Sequence, residues 1–407
     1  GQEQWFDRVH NIFFDWLIAG GVLGFVAYFG ILFSVLYYVF LKPLLRSSKD
    51  EEEGFTVTER AVLLGLVVGY FTHNLVVFDN LVSYMFYAVL LAIIHSRVSR
   101  EMPSIMNFTV HKDIFTNIIT PVAAVALAAG IYFVHVPSMI AAQDIIVAFT
   151  AQQPDERFGA FETALSRGSF ADQEITEQLA QQAISLARQP NIPNDVKETH
   201  LRFAETKIKE MIVEKPNDAR LHVFFASFYR SIGQFPLAKE QIDIARTLTP
   251  NKQTVVLEQG IVAMVMNDYP AMKAYMQEAF ELDEGFSQAR FLYAASLLYN
   301  GQSEEVYNVI PEKLFASFSR NDLALQAANQ VGARDILIDM FESRIESQPT
   351  SAQNYASLGF VYYQSGQMEE AIEILKSGVA AVPSFATTGN CYIGNLEAGN
   401  QPDQDCQ

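Results

Sequence analysis

The first residues of the chain that could carry out chemistry form a short cluster at its start. Asp7, Arg8, His10 and Asn11 come directly before a long apolar stretch, and Asp15 stands just inside that stretch. A histidine with an ordinary pKa of about 6.5 can accept a proton at neutral pH, and a guanidinium binds phosphate oxygens in a bidentate manner. Ionisable groups at a membrane edge are often functional. The structural alternative is that Asn11 caps a helix and that Asp15 interacts with its dipole.

A second polar cluster comprises His73, Asn74, Asp79 and Asn80, inside an otherwise apolar region. The run 78–80 (Phe-Asp-Asn) is typical of a turn between two short helices. Here the structural interpretation is the stronger one. Asp79 and Asn80 would cap the turn, and His73 would form a hydrogen bond across the helix bundle.

Four apolar segments predict a membrane region with four helices over residues 12–135. The first runs from Ile12 to Leu41 and exceeds the roughly 20 apolar residues that a bilayer requires. The region 61–94 is too long for one ordinary span, so we expect two helices on either side of the turn. The fourth segment covers residues 114–134.

The orientation of these segments follows from the positions of Lys and Arg in the short loops. Loop 42–60 contains four basic residues and loop 96–113 contains three, whereas Arg8 is the single basic residue on the opposite side. The two basic loops are therefore predicted to be cytoplasmic. Residues 1–11, the turn at Asp79 and everything after the fourth span would lie outside the cytoplasm.

The remainder of the chain is acidic. Residues 151–407 contain 34 acidic and 20 basic residues, a net charge of −14 within the total of −18. Such a surface argues against nucleic acid as a partner, because phosphate binding needs clustered Lys and Arg. The two cysteines, Cys391 and Cys406, could form one disulfide in an oxidising compartment or could be two free thiols.

A period of about 34 residues after residue 216 predicts tetratricopeptide-type helix hairpins stacked as a solenoid. The last repeat is the clearest, with small, aromatic, glycine and proline positions filled by Tyr355, Leu358, Gly359, Tyr362, Gly366, Ala371, Gly378 and Pro383. We predict degenerate helical repeats over residues 136–215, tetratricopeptide repeats over 216–384 and a disordered tail over 385–407. The fold class is therefore all-α: a fragment of a helical transmembrane bundle followed by an α-solenoid.

No motif predicts a metal or a cofactor, since the sequence lacks a Gly-rich phosphate loop, a Cys-x-x-Cys pair and a His-Glu-x-x-His run. The chain starts Gly1-Gln2-Glu3, and a membrane segment follows almost at once. We expect it to be the C-terminal portion of a longer protein, with residues 1–11 as the end of an extracytoplasmic loop.

The run from His10 to Asp15, followed by Gly21 and Gly24, resembles the His-Asn-x-x-x-acidic…Gly-x-x-Gly signature of the O-antigen ligase and polymerase superfamily. Members with a C-terminal tetratricopeptide domain carry a membrane hairpin similar to the one around residues 72–80. The resemblance covers residues 5–135 and the appended repeats. It implies a multi-pass glycosyltransferase of the bacterial cytoplasmic membrane, with the repeats outside the cytoplasm.

The resemblance implies that a glycan moves from an undecaprenyl diphosphate carrier to a hydroxyl of an acceptor lipid, glycan or protein, without a metal. His10 matches the histidine that acts as base or orients the acceptor. Arg8 would bind the diphosphate, and Asn11 and Asp15 would complete the substrate site. The family's other essential arginines lie upstream of this chain.

Two other functions remain open. The chain could be a non-catalytic membrane scaffold whose repeats recruit a protein partner and whose membrane segments contact lipids. It could also be half of a transporter in which Asp79 and His73 form a proton path, which the position of the turn at the membrane edge disfavours. Upstream sequence that encodes further spans would support the glycan ligase or polymerase over the scaffold.

Overall fold

The computed structural model describes residues 11–45, 55–77, 79–98 and 111–406. Every regular element within these ranges is helical, which confirms the predicted all-α class. The chain divides into two compact units, Gln4–Val125 and Ala126–Gln407.

The helices of the N-terminal unit are α1 (Ile12–Leu36), α2 (Val57–Asn74), α3 (Leu81–Val98) and the first turns of α4 (Thr120–Thr150). A π-helical turn, Tyr37–Leu41, extends α1, and short turns at Lys112–Ile114 and Phe115–Ile119 lead into α4. In the part of the chain that the structure describes, three helical stretches are long and apolar enough to cross a membrane: Ile12–Leu41, Leu81–Val98 and Lys112–Thr150. They are compatible with membrane association. Helix α2 corresponds to the remaining predicted span, and polar residues occupy both of its ends.

Helix α1 lies within the first predicted span and folds back on itself at Gly21. The aromatic rings of Phe13 and Phe29 are stacked with centroids 4.9 Å apart, and those of Trp16 and Tyr28 are 4.6 Å apart. In a straight helix, residues 13 and 29 would be separated by about 24 Å along the axis. The physical reason is the backbone of Gly21, whose φ of 60° and ψ of −166° are accessible essentially only to glycine.

The core of the N-terminal unit is built by α1, α2 and α3. Buried residues include Phe29 and Leu32 of α1, Leu63 and Val67 of α2 and Tyr87 of α3. Many of the remaining apolar side chains of these helices are exposed. Apolar surfaces of this kind on helices of membrane length are what contact with lipid requires.

The C-terminal unit begins within α4 and continues as a series of antiparallel helices. In order these are α5 (Pro154–Leu165), α6 (Asp172–Ala187), α7 (Asn194–Glu214), α8 (Ala219–Ser231), α9 (Phe235–Leu248), α10 (Gln253–Val265), α11 (Tyr269–Leu282), α12 (Ser287–Tyr299), α13 (Val306–Val309), α14 (Glu312–Phe318), α15 (Asp322–Val331), α16 (Arg334–Ser347), α17 (Ala352–Gln364), α18 (Met368–Ala381) and α19 (Ala386–Glu397).

Small residues let the two helices of each hairpin approach closely, as the repeat pattern predicts. Ala238 and Ala245 of α9 are fully buried against α8. A Cβ atom added to Gly378 would lie 2.7 Å from Cβ of Tyr355. The hairpin turns at Gly233 and Gly366 have φ values of 77° and 76°, a left-handed conformation that glycine adopts without steric cost.

The hairpin that starts with α12 departs from the regular period. Gly301 forms the turn after α12, but only a short 3₁₀ turn, Ser303–Glu305, and the single helical turn α13 follow it. Helix α15 takes the place of a second helix and packs against α12. Residues 302–321 are therefore an insertion in the solenoid that the sequence period does not reveal.

The prediction of a disordered tail after residue 384 is wrong for the residues that form α19. Phe385, Ile393 and Leu396 are buried against α18 and close the last hydrophobic cluster of the solenoid. A disulfide joins Cys391 to Cys406. The Gly- and Asn-rich composition of the tail suggested disorder, but these few apolar residues and the covalent link order it.

Candidate functional site

The predicted site at the start of α1 is described in part. Arg8 and His10 lie outside the described residues. Asn11 forms the N-cap of α1, since its Oδ1 accepts hydrogen bonds from the backbone N–H groups of Phe13 (3.0 Å) and Phe14 (3.4 Å). Its Nδ2 donates to the carbonyl of Leu75 at 3.3 Å. Asn11 therefore has the structural role of a cap and also ties the start of α1 to the end of α2.

Asp15 lies in the first turn of α1 and is buried. A carboxylate in this position interacts favourably with the positive end of the helix dipole. Asn11 and Asp15 therefore both have the structural environment that the capping interpretation predicts. Their predicted role in substrate binding stays a prediction.

The second cluster is a buried polar network centred on Asp79. Tyr70 donates its hydroxyl proton to Oδ2 of Asp79 at 2.7 Å, and Asn74 donates from Nδ2 to Oδ1 at 2.8 Å. Ser83 donates to the same Oδ1 at 3.0 Å. The side chain of Asn74 is fully buried and only 3% of Asp79 is exposed. Three donors thus satisfy a carboxylate that would otherwise be costly in an apolar bundle.

The network extends in two directions from this carboxylate. The hydroxyl of Tyr28 in α1 donates to the hydroxyl of Tyr70 at 3.1 Å. Nδ1 of His73 lies 3.2 Å from Oδ1 of Asn74, at hydrogen-bond distance. His73 therefore bonds to its neighbour in α2 and not across the bundle as the sequence suggested. The network links α1, α2 and the turn before α3.

Asn80 caps α3, as predicted. Its Oδ1 accepts from the backbone N–H of Ser83 at 3.0 Å, and Oγ of Ser83 accepts from the N–H of Asn80 at 2.9 Å. This reciprocal pair fixes the turn that presents Asp79 to Asn74.

The structure brings Asn11 close to the second cluster, because Asn11 bonds to the residue directly after Asn74. Sequence reasoning missed Tyr28, Tyr70 and Ser83. Tyr70 precedes Asn74 by four residues, and Ser83 follows Asp79 by four, so helical spacing could have identified both. The contact of Tyr28 depends on how α1 packs and has no local signal. Within the described ranges, His, Cys, Asp and Glu form no group of three that could hold a metal ion.

The solenoid has an open groove between α7, the end of α8 and the start of α9, here called the α7–α9 groove. Its lining includes Lys197, Leu201, Arg202, Glu205, Tyr229 and Leu237. Apolar side chains and charged groups of both signs therefore face the same open space. Such a surface can accommodate a peptide segment that carries both an apolar anchor and charged residues.

Tyr229 is the fixed element of the α7–α9 groove. Its hydroxyl donates to Oε1 of Glu205 at 2.7 Å, and Nζ of Lys209 lies 2.6 Å from the same oxygen. Burial, and then the hydrogen bond to Glu205, raise the pKa of the Tyr229 phenol above its ordinary value. Burial acts to raise the pKa of Glu205, but the hydrogen bonds from Lys209 and Tyr229 outweigh it and lower that pKa. Glu205 is thus a carboxylate at neutral pH.

Comparison with known proteins finds no protein family and no curated protein that matches the chain. Among solved structures, the tetratricopeptide protein YrrB, described as having an unusual peptide-binding site, is 18% identical with a TM-score of 0.32 and covers 43% of this chain and 92% of its own. MamA is 16% identical with a TM-score of 0.29, covering 46% and 92%. A human IFIT1 dimer with m7Gppp-AAAA is 16% identical with a TM-score of 0.33, covering 72% and 71%.

Proposed function

We propose that this chain is a membrane-anchored scaffold whose helical repeats bind a segment of another protein. The observation that carries the proposal is the solenoid of stacked helix hairpins with the α7–α9 groove open on it. Stacked hairpins of this kind create extended surfaces for binding. The apolar helices of the N-terminal unit supply the anchor.

The partner segment is expected to be basic with at least one apolar side chain. Residues 151–407 carry a net charge of −14, so long-range attraction favours a positively charged partner. Leu201 and Leu237 offer an apolar surface on which an anchor residue would lose its water. The carboxylate of Glu205 lies among them and would pair with a basic group.

Site-specific photo-crosslinking in intact membranes tests this proposal. A benzoyl-phenylalanine is placed at Leu237 in the groove and, as a matched control, at Val331, which is 40% exposed against 37% for Leu237. We expect a discrete protein adduct from position 237, weakened by high salt, and none from position 331. Equal labelling from both positions, or no adduct from position 237, would contradict the proposal.

A second candidate function is the lipid-linked glycan ligase or polymerase that the sequence resembles. The observation that favours it is the buried network at Asp79, which lies at the same end of the unit as Asn11. Ionisable groups inside a membrane bundle are costly and usually functional. Asn11 directly follows His10 in the sequence.

In this candidate mechanism, His10 accepts the proton of the acceptor hydroxyl while the hydroxyl oxygen forms the new glycosidic bond. The bond between the sugar and the diphosphate breaks, and Arg8 stabilises the departing diphosphate. Asn11 and Asp15 orient these groups.

His10→Ala and His10→Gln are then expected to abolish transfer of the lipid-linked glycan and to leave membrane insertion intact. His95→Ala, at the end of α3, is the control and should be nearly silent. Near-normal transfer by His10→Gln would rule out the role of His10 as base. If neither the native protein nor any variant transferred the glycan, the scaffold would be the one remaining candidate function.

A further inference from the structure

The exposure of α4 changes abruptly along its length. Between residues 114 and 133 nearly every described side chain of the helical stretch is exposed. From Ser138 onward one face is buried, through Ser138, Ala141 and Ala148. Since these positions lie on one side of a helix, α4 has one packed face that begins at Ser138.

Helix α5 runs back along α4, antiparallel to it. The rings of Phe149 and Phe161 are 6.0 Å apart, and Nε of Arg167 lies 3.0 Å from Oδ2 of Asp144. The C-terminal end of α5 therefore lies closer to the apolar end of α4 than its N-terminal end does. The loop 166–171, which follows α5, lies at the level of residues just before Asp144.

The loop that follows α7 lies at the same end of the solenoid as loop 166–171. Nζ of Lys215, directly after α7, donates to Oε1 of Gln173 in the first turn of α6 at 2.7 Å. The end of α7 and the loop before α6 are thus neighbours. Each presents a large apolar side chain to the outside: Phe170 is 78% exposed and Val213 is 80% exposed. Met139 of α4, five residues before Asp144, is 64% exposed.

We infer that Phe170 and Val213, together with Met139, insert into the lipid headgroup layer and form a second contact of this chain with the membrane. The inference rests on the proposed membrane crossing of α4. Residues 114–143 contain no Asp, Glu, Lys or Arg, and at about 1.5 Å per residue they extend about 45 Å. That length matches a hydrocarbon core with both headgroup layers, about 40–45 Å.

The position of these side chains along the axis of α4 indicates that the bilayer, and not another protein, covers them. Asp144 is the first charged residue after Asp113, so the headgroup layer ends close to it. Arg167 pairs with Asp144, and Phe170 lies in the same loop, three residues after Arg167. The loop is also held in place, because the N–H and hydroxyl of Ser169 both bond to Oδ1 of Asp172, at 3.0 and 3.2 Å. Phe170 is therefore an exposed side chain on a fixed turn.

Fluorescence quenching on the full chain in phosphatidylcholine vesicles tests the inference. Single cysteines at positions 170 and 213 carry an environment-sensitive fluorophore, and the native pair remains oxidised as the disulfide. Cysteines at Phe133, inside the predicted span, and at Val331, far along the solenoid, serve as controls. A nitroxide on the lipid headgroup is expected to cause a marked loss of emission at 170 and 213 and none at 331.

The control at position 133 separates failure of this inference from failure of the membrane crossing. Shielding of 133 from aqueous iodide, with free access of iodide to 170 and 213, would overturn the inference and leave the span intact. Access of iodide to 133 would overturn both. Shielding of 170 and 213 from iodide without quenching by the headgroup nitroxide would show that a second copy or another protein covers them, and would also overturn the inference.

Discussion

At the scale of single residues, Gly21 decides the path of the first apolar segment. We predict that Gly21→Ala destabilises the fold-back by about 1–3 kcal/mol, because its backbone conformation is strained for any residue with a Cβ. Disulfide formation between cysteines introduced at Phe13 and Phe29 measures the effect. The yield should fall in the Gly21→Ala background and remain unchanged with Gly30→Ala, a helical position with open space around it among the described residues. An unchanged yield in the first background would refute this role for Gly21.

Asp79 is the residue on which the buried network depends. Asp79→Ala leaves the buried donors of Asn74 and Tyr70 without their acceptor and is expected to cost about 1–3 kcal/mol. Unfolding of the detergent-solubilised chain, followed by loss of helical circular dichroism, measures this. Asp113→Ala removes an exposed carboxylate and provides the control. Equal stability of the two variants would mean that the network contributes nothing.

The sequence allowed the polar clusters to be located but not their contacts to be worked out. Residue type and a helix start are enough to predict the cap at Asn11. The bond from Asn11 to Leu75 could not be predicted, because it depends on where α2 ends and on how α1 turns back at Gly21. The conformation of one glycine backbone is not evident from a segment with several glycines.

At the scale of helices, stability is most sensitive to substitutions where the two helices of a hairpin approach closely. Gly378→Ala should lower the free energy of unfolding by about 1–3 kcal/mol, because the new methyl group meets the base of the Tyr355 side chain, which cannot move aside. Gly394→Ala, a helical position with space around it in the described part of the chain, should be stabilising by up to about 1 kcal/mol. Chemical denaturation compares the two variants, and a neutral Gly378→Ala would contradict the packing argument.

The disulfide joins the end of the chain to α19. Cys406→Ser is expected to reduce stability by about 3 kcal/mol, the value for closing a loop of about 15 residues. Denaturation of oxidised protein with and without reductant measures this. Reductant should destabilise the native chain and have no effect on Cys406→Ser. A native chain insensitive to reductant would show that the link does not hold the tail.

Helices were predicted well where the repeat pattern is complete and poorly where it is not. The last hairpin was evident from its small and aromatic positions, such as Gly359 and Tyr362. The insertion at 302–321 and helix α19 were not, because their packing depends on neighbouring helices more than on a local period. Composition alone misassigned the tail.

At the scale of the whole molecule, we predict from two independent features that the solenoid lies outside the cytoplasm. The basic residues of the short loops favour a cytoplasmic position for residues 42–60 and 96–113. The Cys391–Cys406 disulfide is typical of an oxidising compartment. Neither depends on the identity of the partner or on catalysis.

The most direct test of a membrane-anchored solenoid outside the cytoplasm is a pair of reporter fusions made after Thr150, at the end of α4. Alkaline phosphatase is active only outside the cytoplasm, whereas green fluorescent protein that is exported with a membrane segment is not fluorescent. We predict an active phosphatase fusion and a non-fluorescent green fluorescent protein fusion, both in the membrane fraction. A fluorescent fusion with inactive phosphatase, or recovery of either fusion in the soluble fraction, would contradict the account.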